Sequence, residues 1–197
     1  MAKRFLKIVV VLLVIAILTL VGILLLRIGL RKLDFARFPK QYEALVNMYA
    51  EENEIDPLVL YSVIRTESGF NPKAVSNVEA RGLMQITEET FDWIKSKIAA
   101  DEEIVFDDLY DPEVNIRFGS YYFAACMRRY EQDLSTAAAA YHSGWGTVDR
   151  LLEKEEYSDD GEILHTFPYD QMKRYVYKIT HAFQKYEQLY RIQENEG

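Results

Sequence analysis

Glu67 is the residue in this chain best placed for acid/base chemistry. It ends an apolar stretch carrying Leu60, Tyr61, Val63 and Ile64 and precedes the turn Ser68-Gly69-Phe70-Asn71-Pro72. A second glycine-led turn follows at Ala80-Arg81-Gly82-Leu83-Met84-Gln85-Ile86 and supplies an amide side chain. If the stretch before Glu67 is a helix, desolvation and the negative end of the helix dipole both disfavour the carboxylate and raise its pKa. A carboxylic acid still protonated near neutrality can give its proton to a leaving oxygen. Taken alone, the residue reads better as an exposed glutamate at a helix end, with Ser68-Gly69 as a plain C-cap.

Glycosidases normally pair two carboxylates, about 5 Å apart for retention and about 6.5–9.5 Å for inversion. No second acid here is clearly placed to partner Glu67. Glu79, Glu88 and Glu89 are nearest in sequence, and the last two fall in the first turn of an expected helix, where the macrodipole accounts for them. Other nucleophiles and metal ligands are scarce. The single cysteine, Cys126, sits in a run that reads as a buried helix and therefore as a packed thiol. His142, His165 and His181 lack the short spacing of a metal site.

The elements that must position Glu67 are helical. Tyr42, Leu45, Val46 and Tyr49 recur at three- and four-residue intervals across an expected helix from Pro39 to Glu54. Asp56-Pro57 is a start signal for the helix that carries Glu67. Thr87 caps another, running to Ala99 with Phe91, Ile94 and Ile98 on its inner face. Asp111-Pro112 opens a long helix through Tyr130, Ser135 to Tyr141 forms a short one, and Gln171 to Arg191 closes the chain. Phe70 to Ile86 and Gly161 to Phe167 leave room for short strands only. The fold class expected is mainly α.

Ahead of this domain, Ile8 to Leu26 contains no charge and as a helix would span about 28 Å, enough to cross a bilayer. The run ends in Leu24-Leu25-Leu26-Arg27 rather than a small-residue cleavage site, which favours a retained anchor. Residues 1–37 hold seven basic residues against Asp34, a net of +6, and the remaining 160 residues carry a net of −14, together the −8 of the whole chain. So acidic a domain excludes nucleic acid as its natural partner. Basic residues flank the apolar run on both sides, so charge alone does not orient it. The expected division is residues 1–7 as a short end, 8–26 as a transmembrane anchor, 27–38 as a basic juxtamembrane connector and 39–197 as the globular domain.

Five motifs stand in one order along that domain. They are Glu67 through Ser76, then Ala80 to Ile86, then Leu109-Tyr110-Asp111-Pro112-Glu113-Val114-Asn115-Ile116-Arg117-Phe118-Gly119, then Ala139-Ala140-Tyr141-His142-Ser143-Gly144-Trp145-Gly146, then Phe167-Pro168-Tyr169 with Tyr175-Val176. In this register the chain resembles the catalytic domain of the soluble lytic transglycosylase family from about Tyr42 to Tyr186. The resemblance implies a lysozyme-like fold and cleavage of peptidoglycan glycan strands. It implies that Glu67 protonates the β-1,4 oxygen between N-acetylmuramic acid and N-acetylglucosamine. As carboxylate it would then take the proton of the muramic 6-hydroxyl, which closes a 1,6-anhydro end. An internal nucleophile removes the need for a second carboxylate, and the chemistry requires no metal or organic cofactor.

The same resemblance assigns supporting roles. Ser76 and Gln85 would hydrogen-bond substrate, Met84 would pack beside a sugar, and Tyr141 would direct its hydroxyl at the Glu67 region. Ser68, Gly82, His142, Trp145, Gln171 and Tyr175 would complete the cleft, with Gly82 answering a need for positive φ or close backbone approach. Trp145, between two glycines, is the better candidate for stacking on a pyranose, whereas Tyr121-Tyr122 reads as core. Two positions depart from the family pattern: His142 stands where an asparagine is usual, and Gln171-Met172 where a Glu-Thr pair is usual. These departures leave a weakly active or inactive glycan-binding or assembly module as an alternative, beside a lysozyme-type hydrolase or a scaffold for another envelope protein. With peptidoglycan as substrate, the expected arrangement is a single pass through the cell membrane, the N-terminus cytoplasmic and the domain outside. The oligomeric state is left open.

Overall fold

The computed structural model describes residues 2–191. Met1 and residues 192–197, at the ends of the expected segments, lie outside the described residues. The chain divides into two compact units, one up to Pro39 and one from Lys40 onward.

The first unit is the helix α1 (Ala2–Arg37), 36 residues long. Residues Lys3–Arg37 are long and apolar enough to cross a membrane. The helix does not stop where the apolar run stops. The expected connector at 27–38 is helical as far as Arg37, because Ile28, Leu30 and Leu33 continue the run between basic residues and no glycine or proline cap intervenes after Leu26 until Gly29, inside the helix.

The second unit is built from α2 (Glu43–Glu52), α3 (Pro57–Glu67), α4 (Glu88–Ile98), a 3-10 turn (Phe106–Tyr110), α5 (Pro112–Arg129), α6 (Leu134–Ser143), α7 (Trp145–Leu152) and α8 (Asp170–Tyr186). The starts are fixed by side chains. Asp56 accepts the Leu58 N–H at 2.9 Å, Asp111 accepts that of Glu113 at 2.8 Å, and Asp133 accepts that of Thr136 at 2.7 Å. Thr87 caps α4 through the Thr90 N–H, ahead of Glu88 and Glu89 in the first turn and with Lys95 and Lys97 in the last. Helix α3 is central: every residue from Leu58 to Ile64 is buried. It packs on α8 and α2, while α6 lies between α5 and α8. Four successive fully buried alanines, Ala137 to Ala140, make that close passage possible.

The segment between α3 and α4 forms the wall that faces Glu67. Instead of strands it has two isolated bridges, Val75 with Arg81 and Arg81 with Ile86. The second expected strand region, around Gly161, is a side-chain-pinned turn. Asp160 Oδ1 accepts the N–H groups of Glu162 and Ile163 at 2.8 and 3.1 Å, and the Ser158 hydroxyl donates to the Ile163 carbonyl at 2.7 Å. Such local bonds offer the backbone an alternative to a ladder. The expected C-terminal helix to Arg191 is α8 followed by a π-turn, Glu187–Arg191.

Candidate active site

Glu67 occupies the last turn of α3 and lines a cavity of about 230 Å³. The cavity wall comes from the 68–87 loop (Ser76, Val78, Ala80, Gln85, Ile86 and Thr87), from Thr90 of α4 and Tyr122 of α5, and from Tyr141 and His142 of α6. Oε1 of Glu67 accepts a 2.6 Å hydrogen bond from the hydroxyl of Tyr175 on α8. Burial pushes the Glu67 pKa up to about 7, against the Tyr175 hydrogen bond and the positive charge of Lys178, which pull it down. The helix dipole contributes less than the sequence implies. The Ile64 and Arg65 carbonyls at the end of α3 accept the N–H groups of Ser68 and Gly69 at 3.1 and 3.2 Å, so part of that negative pole is satisfied.

Two tyrosines act on Glu67: Tyr141 lines its cavity, whereas Tyr175 is buried, does not line it and reaches the carboxyl by its hydroxyl, a support rather than the expected substrate contact. Burial and the nearby carboxylate raise the pKa of Tyr141 and Tyr175 well above the usual value, so both keep their protons and act as donors. Tyr141 donates at 2.8 Å to the Met84 carbonyl. Its hydroxyl therefore holds the loop, while its ring forms the cavity wall. His142 also lines the cavity, with its ring stacked on Tyr175 at 4.5 Å and 13°. Partial burial, and then Lys178, lower its pKa, which leaves the imidazole neutral at neutral pH.

The loop is assembled around Asn115, a fully buried side chain of α5. Its Oδ1 accepts the Met84 N–H at 2.8 Å, and its Nδ2 donates to the Arg81 and Leu109 carbonyls at 3.0 and 2.8 Å. Gly82 lies over this amide at φ +77°, where an added Cβ would sit 2.1 Å from Asn115 Nδ2 and 2.2 Å from the Leu109 oxygen. Gly82 is thus a packing keystone rather than a substrate contact. Met84 is likewise corrected from sugar contact to core: its side chain is fully buried, turned onto Gly119 of α5, and only its backbone oxygen reaches toward the site.

Ser76 and Gln85 do line the cavity, yet part of their hydrogen-bonding capacity is used by the loop. The Ser76 hydroxyl oxygen accepts the Val78 and Ala80 N–H groups, and Gln85 Nε2 donates to the Ala74 and Gly82 carbonyls at 3.1 and 2.9 Å. Ser68 does not line the cavity. It caps α3, donating from Oγ to the Ile64 carbonyl at 3.1 Å. Gln171 is exposed in the first turn of α8 and lines neither this cavity nor its neighbour, because the inward position of that turn belongs to Met172.

Trp145 belongs to the neighbouring cavity of about 330 Å³, lined by Glu89, Thr90, Trp93, Tyr122, Gly144, Trp145 and Gly146. Thr90 and Tyr122 border both cavities, so the two adjoin. Trp145 stacks on Tyr122 at 5.7 Å and meets Trp93 edge-on at 5.1 Å. Its Nε1 donates to Cys126 Sγ at 3.1 Å, and burial pushes that thiol up to about 12. Tyr122 corrects the reading of Tyr121-Tyr122 as core, and Trp93 and Thr90 carry no motif that marks them. The one available signal is spacing: Thr90 and Trp93 lie three apart on the α4 face opposite Phe91. Among the described residues that line the Glu67 cavity, Glu67 is the sole acid. The site therefore offers one carboxylic acid held near its midpoint at neutral pH, fixed phenol donors and an aromatic groove.

Residues 44–164 match the sequence profile of the transglycosylase SLT domain. The match includes Glu67 and His142 and ends before α8. The chain is 31% identical over 167 residues to the membrane-bound lytic murein transglycosylase C of Actinobacillus pleuropneumoniae serotype 5b, covering 75% of this chain and 46% of that protein. It is 29% identical over 144 residues to the soluble lytic murein transglycosylase of Escherichia coli K12, covering 73% of this chain and 22% of that protein. The chain thus spans less than half the length of these curated relatives. Among solved structures, the 70 kDa soluble lytic transglycosylase of E. coli superposes with a TM-score of 0.70 at 26% identity, covering 78% of this chain and 25% of that one. The lytic transglycosylase Slt of Pseudomonas aeruginosa gives 0.69 at 27%, with the same coverage. The helical domain therefore has the lysozyme-like fold of these enzymes.

Proposed function

The chain belongs to the transglycosylase SLT domain family, and we propose that it is a membrane-anchored lytic transglycosylase acting on peptidoglycan glycan strands. The observation that carries the reading is the solitary Glu67, with a pKa near 7 in a cavity lined by no second carboxylate among the described residues. Most glycoside hydrolases use a partner acid to activate water or to form a glycosyl intermediate. A transglycosylase takes its nucleophile from the substrate.

In the proposed reaction, protonated Glu67 gives its proton to the glycosidic oxygen as the anomeric bond breaks, which frees the N-acetylglucosamine hydroxyl. The Glu67 carboxylate then removes the proton of the muramic 6-hydroxyl. That oxygen bonds to its own anomeric carbon, so no water is consumed and Glu67 ends protonated as it began. A pKa near the working pH suits a group that must both give and take a proton. Tyr175 holds the carboxyl, Gln85 and Ser76 border the reacting sugar, and Trp145 with Tyr122 and Trp93 provides aromatic faces for the next one. Residues 8–26 of α1 cross the membrane, the first residues stay in the cytoplasm and the domain from residue 39 faces the wall, where its substrate lies.

Mass spectrometry of muropeptides released from purified sacculi tests the reading. The wild type should leave anhydromuramic ends, one water lighter than hydrolysed ends, and Glu67→Gln should release almost none. Reducing ends alone would replace the reading with lysozyme-type hydrolysis, and equal release by both proteins would replace it with glycan binding.

A further inference from the structure

Three side chains from three helices form a continuous line into the reaction centre. The imidazole of His142, on α6, lies face to face with the Tyr175 ring at 4.5 Å and 13°, and the Tyr175 hydroxyl, on α8, donates at 2.6 Å to Glu67 Oε1. We propose that His142 is a positioning residue for the reaction: by stacking on Tyr175 it fixes the phenol hydroxyl on the Glu67 carboxyl and so governs how tightly Glu67 holds its proton. The proposal deepens the transglycosylase reading and rests on it for the role of Glu67.

The physical case follows from what each element contributes. A phenol has one strong degree of freedom relative to its helix, the rotation that swings its hydroxyl, and a flat ring against its face restricts that swing. An amide, usual at position 142 in the family pattern above, has no ring with which to do this. His142 borders the same cavity as Glu67, and the Tyr175 ring on which it stacks is buried and does not line that cavity. The groups facing the carboxyl are Tyr141 and His142 from α6, Tyr175 and Lys178 from α8, and Tyr122 from α5. The loop and α4 present only Ser76, Val78, Ala80, Gln85, Ile86, Thr87 and Thr90, none of them charged. Among the described residues the positive charge acting on both Glu67 and His142 is that of Lys178, and burial, then Lys178, lower the His142 pKa. The contact by which His142 reaches the carboxyl is the stack on Tyr175, whose hydroxyl is hydrogen-bonded to Glu67.

A double-mutant cycle separates this route from simple burial. The full chain in detergent micelles is titrated with the Glu67 carboxyl carbon followed by 13C NMR, assigned with Glu67→Gln, for the wild type, His142→Ala, Tyr175→Phe and the double variant. Removing the imidazole also admits water, which lowers the Glu67 midpoint in either background. Loosening the Tyr175 hydrogen bond raises it only where the hydroxyl is present. The expected result is a non-additivity of about half a pH unit or more, with His142→Phe, which keeps the stack, close to wild type. Additive midpoints, or a His142→Phe midpoint displaced as far as that of His142→Ala, would overturn the proposal; His142→Asn serves in the cycle should the alanine variant fail to fold. The titration needs no substrate, so loss of the transglycosylase reading would appear separately, as reducing ends alone among the products of the wild type.

Discussion

Replacing Glu67 by glutamine should stabilise the fold in a pH-dependent manner. In the unfolded chain Glu67 loses its proton above its ordinary value of 4.5, whereas in the folded chain it does so only above about 7. Between those values unfolding releases a proton, so the folded state loses stability as pH rises through the window. Below about pH 4.5 the contribution is fully retained, and above about 7 it is fully lost. The gap corresponds to about 3 kcal/mol at 1.36 kcal/mol per pH unit, and solvent contact at the cavity wall brings this to roughly 2–3 kcal/mol. Glutamine does not titrate and keeps an acceptor for the Tyr175 hydroxyl. The difference between the two proteins should thus grow by roughly 2–3 kcal/mol from pH 4.5 to 8, which for a domain of this size is roughly 4–12 °C in Tm. The assay is thermal unfolding of residues 40–197, a unit with its own core, followed by circular dichroism across that range. Every other titrating group is common to both proteins and cancels in the difference. A difference that stays flat with pH would refute the account of a buried, proton-holding Glu67, whatever the activity of the enzyme.

Gly82→Ala should cost about 3 kcal/mol or more, since the new Cβ meets both Asn115 and the Leu109 carbonyl at a positive φ. Urea unfolding would show it, and a loss below about 1 kcal/mol would mean that the loop does not pack on Asn115 as described. Cys126, buried under Trp145 and pushed up to about 12, should resist a thiol reagent such as DTNB at pH 8 in the folded protein and react at once in denaturant. Fast labelling of the native protein would contradict that packing.

What the sequence discloses and what it hides divide along the range of the interactions concerned. Helix starts at Asp56, Thr87 and Asp111 are legible because a cap is a contact across two or three residues. The partner of Glu67 is not, because Tyr175 lies 108 residues away on a helix face that otherwise reads as apolar core. Met84 and Gln85 are adjacent, and the turn alone does not say which faces the cavity. The structure decides it with positive φ at Gln85 and the Asn115 bond to the Met84 N–H. Gln171 and Met172 pose the same ambiguity in the first turn of α8, and there the apolar member takes the inner place. Tyr122 escapes because an aromatic in the middle of a helix looks like core until the groove beside it is known. Family resemblance supplies the order of the motifs but cannot distinguish a residue that touches substrate from one, such as Gly82, that shapes the loop.

The balance at Glu67 explains why a single acid suffices for the proposed chemistry. Burial favours the neutral acid, and the Tyr175 hydroxyl and Lys178 favour the carboxylate. Were burial unopposed, the group would hold its proton too firmly to act as base in the closing step. Were the hydrogen bond and the cation unopposed, it would be ionised at neutral pH and could not act as acid in the opening one. A residue that must perform both steps in one turnover works best when neither form is strongly preferred. The structure reaches that condition with groups drawn from α3, α6 and α8, with α8 packed on both α3 and the alanine-rich α6. The packing of the core and the acid strength of Glu67 are in that sense one property of this fold.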